Sequence, residues 1–373
     1  MQTRIEGFIK TITPVHQTRP VKGYFDPRNP KHVSFSDKGK GQCQVMMSSS
    51  FIGRDNRRID LPIISGNSLR GVLRRSCAKV LLDTVNQPIR TELFQCLVAG
   101  AAARDSIGGG LTALLLLKAR ANVFAGVFGG GASMLSSCYS VADMTPVHQA
   151  ISHLVSPWIV DAAPAMPSSF GDGRTETPLT EIYLTVRRDP FLDGEGVSYV
   201  YEHDQSFITY QSKILDAARR KEAAAAAGED NNEAGGGLRM MSYVEALVPG
   251  VPLCFSLTMK PYTTEAQMGL MLLGLQQWAN AQAIGGAARR GFGRFRPTLR
   301  FYQDSLDAPV SLLQPIGDGT IDSYALNQSV QPYIDAAREA MAKVTVAELE
   351  DLFIGADKPA GNRGKVAVAK LVA

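Results

Sequence analysis

Gly285-Gly286-Ala287-Ala288-Arg289-Arg290-Gly291-Phe292-Gly293-Arg294-Phe295-Arg296-Pro297 joins an amphipathic stretch at 265–282 to a strand-like one at 297–302. In the first stretch Met268, Met271, Leu272, Leu275, Trp278 and Ala279 recur at helical spacing, so the connection reads helix, glycine loop, strand. The glycines free the backbone to turn at positive φ and to approach another chain closely. Arg289, Arg290, Arg294 and Arg296 alternate with Phe292 and Phe295, and the segment holds no acidic residue. Such a segment is not expected to fill a core, and its charges have no acidic partner within it. A polyanion that also offers flat bases suits all three features: amides and guanidinium groups for phosphate, rings for stacking. The plainer alternative is a surface β-turn with solvated arginines.

Charge supports the first reading. The chain of 373 residues carries a net +4, but 22–75 sums to +7 and 285–300 to +5, which leaves −8 on the rest. Two concentrated basic segments on a mildly acidic body point to a localised anion-binding surface. Cys43, Cys77, Cys96, Cys138 and Cys254 are scattered without a C-x-x-C pair, as expected of reduced cytoplasmic thiols. The first residues, Met1-Gln-Thr-Arg-Ile-Glu, lack the apolar core of a signal peptide, and the apolar run 111–117 is too short to span a bilayer. A soluble cytoplasmic protein is expected.

Outward from the loop, residues 3–12 alternate as a first strand. The polar, Gly/Lys-rich stretch 16–60 reads as a long loop with one short strand at 42–47. From Ile63 a helix begins, with Leu69, Val72, Leu73, Ser76, Cys77 and Val80 on one face, Arg70 and Arg74 beside it, and Asn67 or Ser68 as N-cap. A second helical region, 88–125, breaks at 108–110; a strand follows near 134–141. Residues 177–211 read as a long hairpin with arms 179–188 and 197–209, and 213–237 as a low-complexity linker. Strands flank the turn Val248-Pro249-Gly250, and the tail carries helices at 330–344 and 346–353. With no clean parallel β-α-β repeat, the order favours an α+β fold with segregated helices.

Gly66-Asn67-Ser68-Leu69-Arg70-Gly71 continues Val72-Leu73 where a phosphate-binding P-loop needs Lys-Ser/Thr, which excludes a nucleoside-triphosphate site. A polar helix N-terminus followed by Arg70 and Arg74 is still a phosphate seat; a capped helix with solvated arginines is the alternative. Arg187 and Arg188, on the first hairpin arm beside Asp189, serve either nucleic acid or a salt-bridged stem. Lys38, Lys40, Arg54, Arg57 and Arg58 make a charge-rich loop. Catalytic signals are poor: His148 and His153 have no third metal ligand nearby, and no zinc-protease, nucleophile-elbow or dinucleotide motif occurs. Asp26, Asp37, Asp55 and Asp60 read as turn formers rather than as cleavage machinery. No cofactor and no metal are expected.

Four segments together resemble the backbone subunit of CRISPR effector complexes, the seventh-numbered Cas family of the RAMP superfamily. Ile63 through Arg74 is similar to the family's "I-P-G-S-S-L-K-G-x-x-R" helix start. Val127-Phe128-Gly129-Gly130 with Ser136-Ser137 and Ala142-Asp143 resembles "FG…S…D"; Glu245, Val248-Pro249-Gly250 and Phe255 resemble "E…v-p-G-t…F"; and Gly285-Gly286 through Gly291-Phe292-Gly293-Arg294 resembles the closing "GG…GFGR". The motifs run in order over 1–302. The resemblance implies an α+β chain: an RRM/ferredoxin-like palm, helical finger insertions and a protruding β-hairpin thumb. Its segments would be 1–62 (first palm strand and basic loop), 63–176 (helix start and finger insertion), 177–240 (thumb and linker), 241–302 (palm completion) and 303–373 (C-terminal helices).

It also implies a non-catalytic subunit that binds guide RNA (crRNA), stacks with further copies into a helical filament, joins other effector subunits and meets a complementary target nucleic acid through the guide, with no membrane involved. Expected RNA contacts are Arg54, Arg58, Asn67, Ser68, Arg70, Arg74, Arg187, Arg188, Gly286, Arg289, Arg290, Phe292 and Arg294. Type III relatives cleave with an Asp in an "I-G-G-x-D" context. Ile52-Gly53-Arg54-Asp55 departs from it, with the Asp one place early and Arg for the second Gly, so the type IV branch is favoured. Two alternatives stay open: a type III-like RNA endonuclease using Asp55 or Asp37, and a single-stranded RNA-binding protein outside CRISPR.

Overall fold

The structure, a computed structural model, describes residues 3–26, 29–34, 41–100, 113–130, 135–163, 179–187, 216, 240–303, 308–316 and 323–354. It divides into two compact units, one formed by Met1–Thr18, Met46–Thr180 and Leu247–Ala373, the other by Arg19–Val45 and Glu181–Ala246.

The larger unit is built on an open sheet of β1 (Thr3–Thr11), β7 (Tyr139–Val141), β10 (Pro252–Met259), β11 (Phe295–Gln303) and β12 (Val310–Ser311), ordered β12-β11-β1-β10-β7. Every neighbouring pair is antiparallel. Helix α1 (Gly66–Val85) follows β1, and α6 (Glu265–Ala281) links β10 to β11. With the excursions set aside, the chain runs β-α-β-β-α-β, its strands in spatial order fourth, first, third, second, a split β-α-β arrangement. Period-two alternation decides the faces. Ile5 and Ile9 of β1, Leu253, Phe255 and Leu257 of β10, and Phe295, Leu299 and Phe301 of β11 turn toward the helices. Phe8 and Cys254 turn the other way, to a small cluster with Val147, Ile159 and Trp158 from helix α5 (Pro157–Ala162) and its approach.

Leu69, Leu73, Cys77 and Leu81 of α1 meet Met271, Leu275 and Trp278 of α6 over the sheet, and Trp278 stacks on Phe255 with centroids 5.7 Å apart. The two helices cross closely at Gly274, where a Cβ would lie 2.1 Å from Cys77 Sγ. Thr264 caps α6 in a reciprocal box with Gln267, which is fully buried and also donates to Arg120 O. Helices α2 (Thr91–Ala99), α3 (Ala113–Ala121) and α4 (Ala125–Phe128) are inserted between α1 and β7, while α7 (Gln331–Ala342) and α8 (Val346–Phe353) extend the core. Mixed α/β architecture with helical insertions and open sheets is therefore present.

The smaller unit is a sheet ordered β3 (Asn29–Ser34), β2 (Thr18–Asp26), β4 (Gly41–Met46), β9 (Met240–Leu247), β8 (Thr180–Arg187), in which β4 and β9 run parallel.

Several expectations need correction. Residues 16–60 are not a loop with one strand: they hold β2, β3, β4 and most of the hairpin β5 (Ser48–Ile52) and β6 (Arg58–Pro62). Their polar residues hid the strands: β2 with β3 and β5 with β6 pair locally, and β4 pairs with the distant β9. The N-cap of α1 is Ser65, not Asn67 or Ser68. Strands do flank Val248-Pro249-Gly250 as expected, β9 joining β4 and β8 and β10 joining β1 and β7. The tail adds β13 (Leu313–Ile316) paired with β14 (Ser323–Leu326). The stretch expected as the first hairpin arm forms β8, whose neighbour in the sheet is β9; the return arm 197–209, the linker 213–237 apart from residue 216, and Lys38 and Lys40 lie outside the described residues.

Candidate nucleic-acid interface

The start of α1 is held from three directions. Ser65 Oγ accepts from Ser68 N at 3.3 Å, Gln17 Oε1 accepts from Ser65 N at 2.9 Å, and Gln17 Nε2 donates to Ser65 Oγ at 2.7 Å. Asp143 Oδ1 accepts from Gly66 N at 2.7 Å. At Gly66 the anion favoured by a helix N-terminus is thus a carboxylate of this chain. Asn67 is exposed and Ser68 half-buried beside it. One turn on, Arg70 is exposed; its Nη2 reaches Ser137 Oγ at 3.4 Å and its guanidinium lies 5.8 Å from the Tyr139 ring centroid. Burial pushes the Tyr139 phenol up to about 12.

Arg74 does not face outward with Arg70. It is 8% exposed, and it donates to Leu97 O at 2.6 Å, Cys96 O at 2.9 Å and Gly129 O at 3.3 Å. The Phe124 and Phe128 rings each lie 5.5 Å from the guanidinium, with Phe353 at 6.0 Å. Burial lowers its pKa to about 10. The side chain is a cationic bolt through the last carbonyls of α2 and the glycine turn at 129. It therefore leaves the set of phosphate contacts, because its donors are spent on carbonyls.

The glycine-arginine loop is zipped to 12–16 rather than open. Gly286 N donates to His16 O at 2.6 Å, Gly293 N to Pro14 O at 2.8 Å, Arg294 N to Thr13 Oγ1 at 2.9 Å and Ile12 N to Arg294 O at 2.8 Å. Gly293 sits at φ 83°, and a Cβ there would lie 2.1 Å from Ile284 O. Left-handed turns at Ala287 and Gly291 bracket a short 3-10 turn at Ala288–Arg290. That turn displays Arg290, exposed, while only the backbone of Arg289 is described. Phe292 is half-buried, and Arg294, exposed, donates from Nη2 to Gln282 Oε1 at 3.3 Å. Consecutive residues thus tie two distant motifs together: His16 holds Gly286 of the loop, and Gln17 holds Ser65 at the start of α1.

In the β5–β6 hairpin, Arg54 is exposed and its N–H donates to Ala150 O at 3.2 Å. Arg58 donates to Ser50 Oγ and lies 3.7 Å from Asp60. Asp55 Oδ1 accepts from Arg57 N at 3.1 Å, and its other oxygen lies 3.6 Å from Arg57 Nε, an Asx turn with a local ion pair. Only the backbone of Arg187 is described, and Arg188 lies outside the described residues.

One cluster escaped the sequence. Tyr262, 50% exposed, has the Arg120 guanidinium 4.7 Å and Lys260 Nζ 5.9 Å from its ring centroid, and Lys260 donates to Ser137 O at 2.8 Å. Since Arg70 reaches the same Ser137, three cations and an open aromatic ring converge near the β7 edge. The local signal was Lys260-Pro261-Tyr262 at the strand-to-helix turn; Arg120 arrives only through α3. Among the described residues no group of three or more His, Cys, Asp or Glu is placed to hold a metal, and no helix is long and apolar enough to cross a membrane.

No protein-family model matches the sequence, and no curated protein does. Among solved structures, a chain described as "Type IV-B CRISPR Complex" is similar with a TM-score of 0.43 and 17% identity, over 86% of this chain and 97% of that chain.

Proposed function

We propose that this chain is a guide-RNA-binding backbone subunit of a CRISPR ribonucleoprotein effector complex, of the type IV branch, which oligomerises along the RNA and does not cut it. The split β-α-β sheet is its RRM/ferredoxin-like palm, α2–α4 belong to its finger insertion, and β8 begins its thumb. The reading is carried by one observation: the α1 start and the glycine-arginine loop, far apart in sequence, meet on His16 and Gln17. Arg70 and Arg290 are both exposed on these two elements. Arg54 and Arg58 on the hairpin and Arg289 extend the phosphate track, which positions RNA without reading its bases; Arg187 and Arg188 are proposed as further RNA contacts of the thumb. Lys260, Arg120 and Tyr262 add cations and a stacking ring to it.

Complementary target nucleic acid is met through the guide, and other effector subunits through surfaces along the filament. The test is the nucleic acid that co-purifies with the full chain, together with negative-stain images on long single-stranded RNA. Discrete small RNAs sharing a repeat-derived end, and helical arrays, are expected. Isolated monomers on RNA at saturating protein sink the filament and favour a generic RNA-binding protein.

A further inference from the structure

Beside the glycine-arginine loop lies a pocket of about 350 Å³, walled by Asn280, Gln282, Ala283, Gly291, Phe292 and Arg294. Its size is that of a small-molecule site, which spans about 300–1,000 Å³, so it takes one compact group rather than a length of chain. Three observations narrow the occupant. Gln282 closes α6 in the left-handed conformation, φ 46°, where glycine is the unstrained choice. Its side chain is engaged there: the residue is 8% exposed, and its Oε1 accepts from Arg294. The Arg294 guanidinium, which also lines the pocket, thus donates to a neutral amide.

The second observation is electrostatic. The pocket opens at the C-terminal end of α6, where the last carbonyls carry the negative end of the helix dipole. Phosphate is disfavoured at that end, and N–H donors of a ligand are favoured. The third is the half-buried Phe292 ring in the wall, with open space at Gly291, where a Cβ would meet nothing within 4 Å. A flat, neutral heterocycle carrying both donors and acceptors meets all these demands: donors toward the helix carbonyls, acceptors toward Arg294, one face on Phe292.

We infer that this pocket seats one unpaired nucleobase of the bound single-stranded RNA, its phosphates running outside along Arg290. The inference rests on the RNA-binding reading and deepens it: the loop holds a base as well as the backbone. Gln282 and Arg294 grip the base edge, and Phe292 stacks on the base.

The test compares the full chain on oligouridine carrying one 2-aminopurine with an abasic ribose-phosphate chain of equal length. Wild type is expected to quench the 2-aminopurine and to bind the abasic chain about tenfold more weakly, within the range of stacking one base. Phe292→Leu should sharply reduce the quench and the discrimination, and Tyr262→Leu should not, while the salt dependence of binding stays unchanged for Phe292→Leu. Gln282→Gly, which relieves the backbone, should hold or raise Tm yet lose discrimination; a merely structural glutamine predicts the opposite. Equal affinity for the abasic and base-bearing chains overturns the pocket while leaving RNA binding standing. If no RNA binds in any arm, the RNA-binding reading has failed. Free 2-aminopurine riboside then decides the pocket: quenching by wild type and not by Phe292→Leu moves it to a free nucleoside, and no quenching removes it.

Discussion

Arg70 and Arg74 are four residues apart on one helix and do different work. Arg70 is exposed beside Ser137 and Tyr139; Arg74 is buried with its donors on Leu97, Cys96 and Gly129. Arg70→Ala should leave Tm within a degree or two and weaken RNA binding by about 1.5–3 kcal/mol per subunit, the worth of one charged hydrogen bond. Fluorescence anisotropy on RNAs of unrelated sequence checks it, and a loss confined to one sequence would contradict a phosphate role. Arg74→Met should instead cost about 3 kcal/mol or more of stability, since buried carbonyls lose their donors. Urea denaturation reads that difference.

The buried ionisable groups carry a pH dependence. Burial raises the Cys43 thiol to about 11 and the Cys254 thiol to about 12, from an ordinary 9.0. Protonated thiols in the fold contribute stability that is complete below pH 9 and drains as pH climbs through 11 and 12. Arg74, lowered by burial, acts with the opposite sign above about pH 10. The urea midpoint should therefore fall between pH 9 and pH 10, and native thiols should resist alkylation near pH 8.

At the scale of elements, two close approaches position the interface. Gly274 lets α1 and α6 cross, and a methyl group there meets Cys77 Sγ at 2.1 Å. Gly274→Ala should destabilise the chain by about 1–3 kcal/mol, as overpacking of a core does, with RNA affinity at saturating native protein little changed. Gly293→Ala asks for a left-handed alanine pressed against Ile284 O, and the neighbour is backbone that does not yield. Here the loop should detach from 12–16, so both Tm and RNA affinity fall. Amide exchange at Ile12 and Gly286 would report the detachment directly, because both hydrogen bonds belong to the zipped loop.

For the whole molecule, net charge is a poor guide and its placement a good one: +4 overall conceals two basic segments on an acidic remainder. Binding to single-stranded RNA should show a log–log salt slope that grows by about 0.7 for each phosphate neutralised. In the proposed filament several copies would share one RNA, so single-site losses would multiply across the assembly. Asp55 is committed to a turn and to Arg57, and the assembled complex is expected not to cut a complementary RNA with Mg²⁺ or Mn²⁺ present. Cuts at a regular interval, abolished by Asp55→Ala, would establish the endonuclease reading instead.

The sequence by itself determined the elements whose signal is local. Periodicity marked α1 and α6, alternation marked β1 and β11, and the helix 346–353 was legible to the residue, because each pattern is written within one turn or one pleat. The basic, aromatic character of the glycine loop was legible for the same reason. Pairing was left to the tertiary structure. Strand β4 finds β9 about two hundred residues away in parallel, and the polar run that contains it carries no mark of that partner. Likewise, what turned Arg74 inward was the arrival of carbonyls from 96, 97 and 129, and what joined the start of α1 to the glycine-arginine loop was the pair His16 and Gln17. A side chain's role depends on the groups that satisfy its donors and charge, and when those come from distant segments only the fold brings them together.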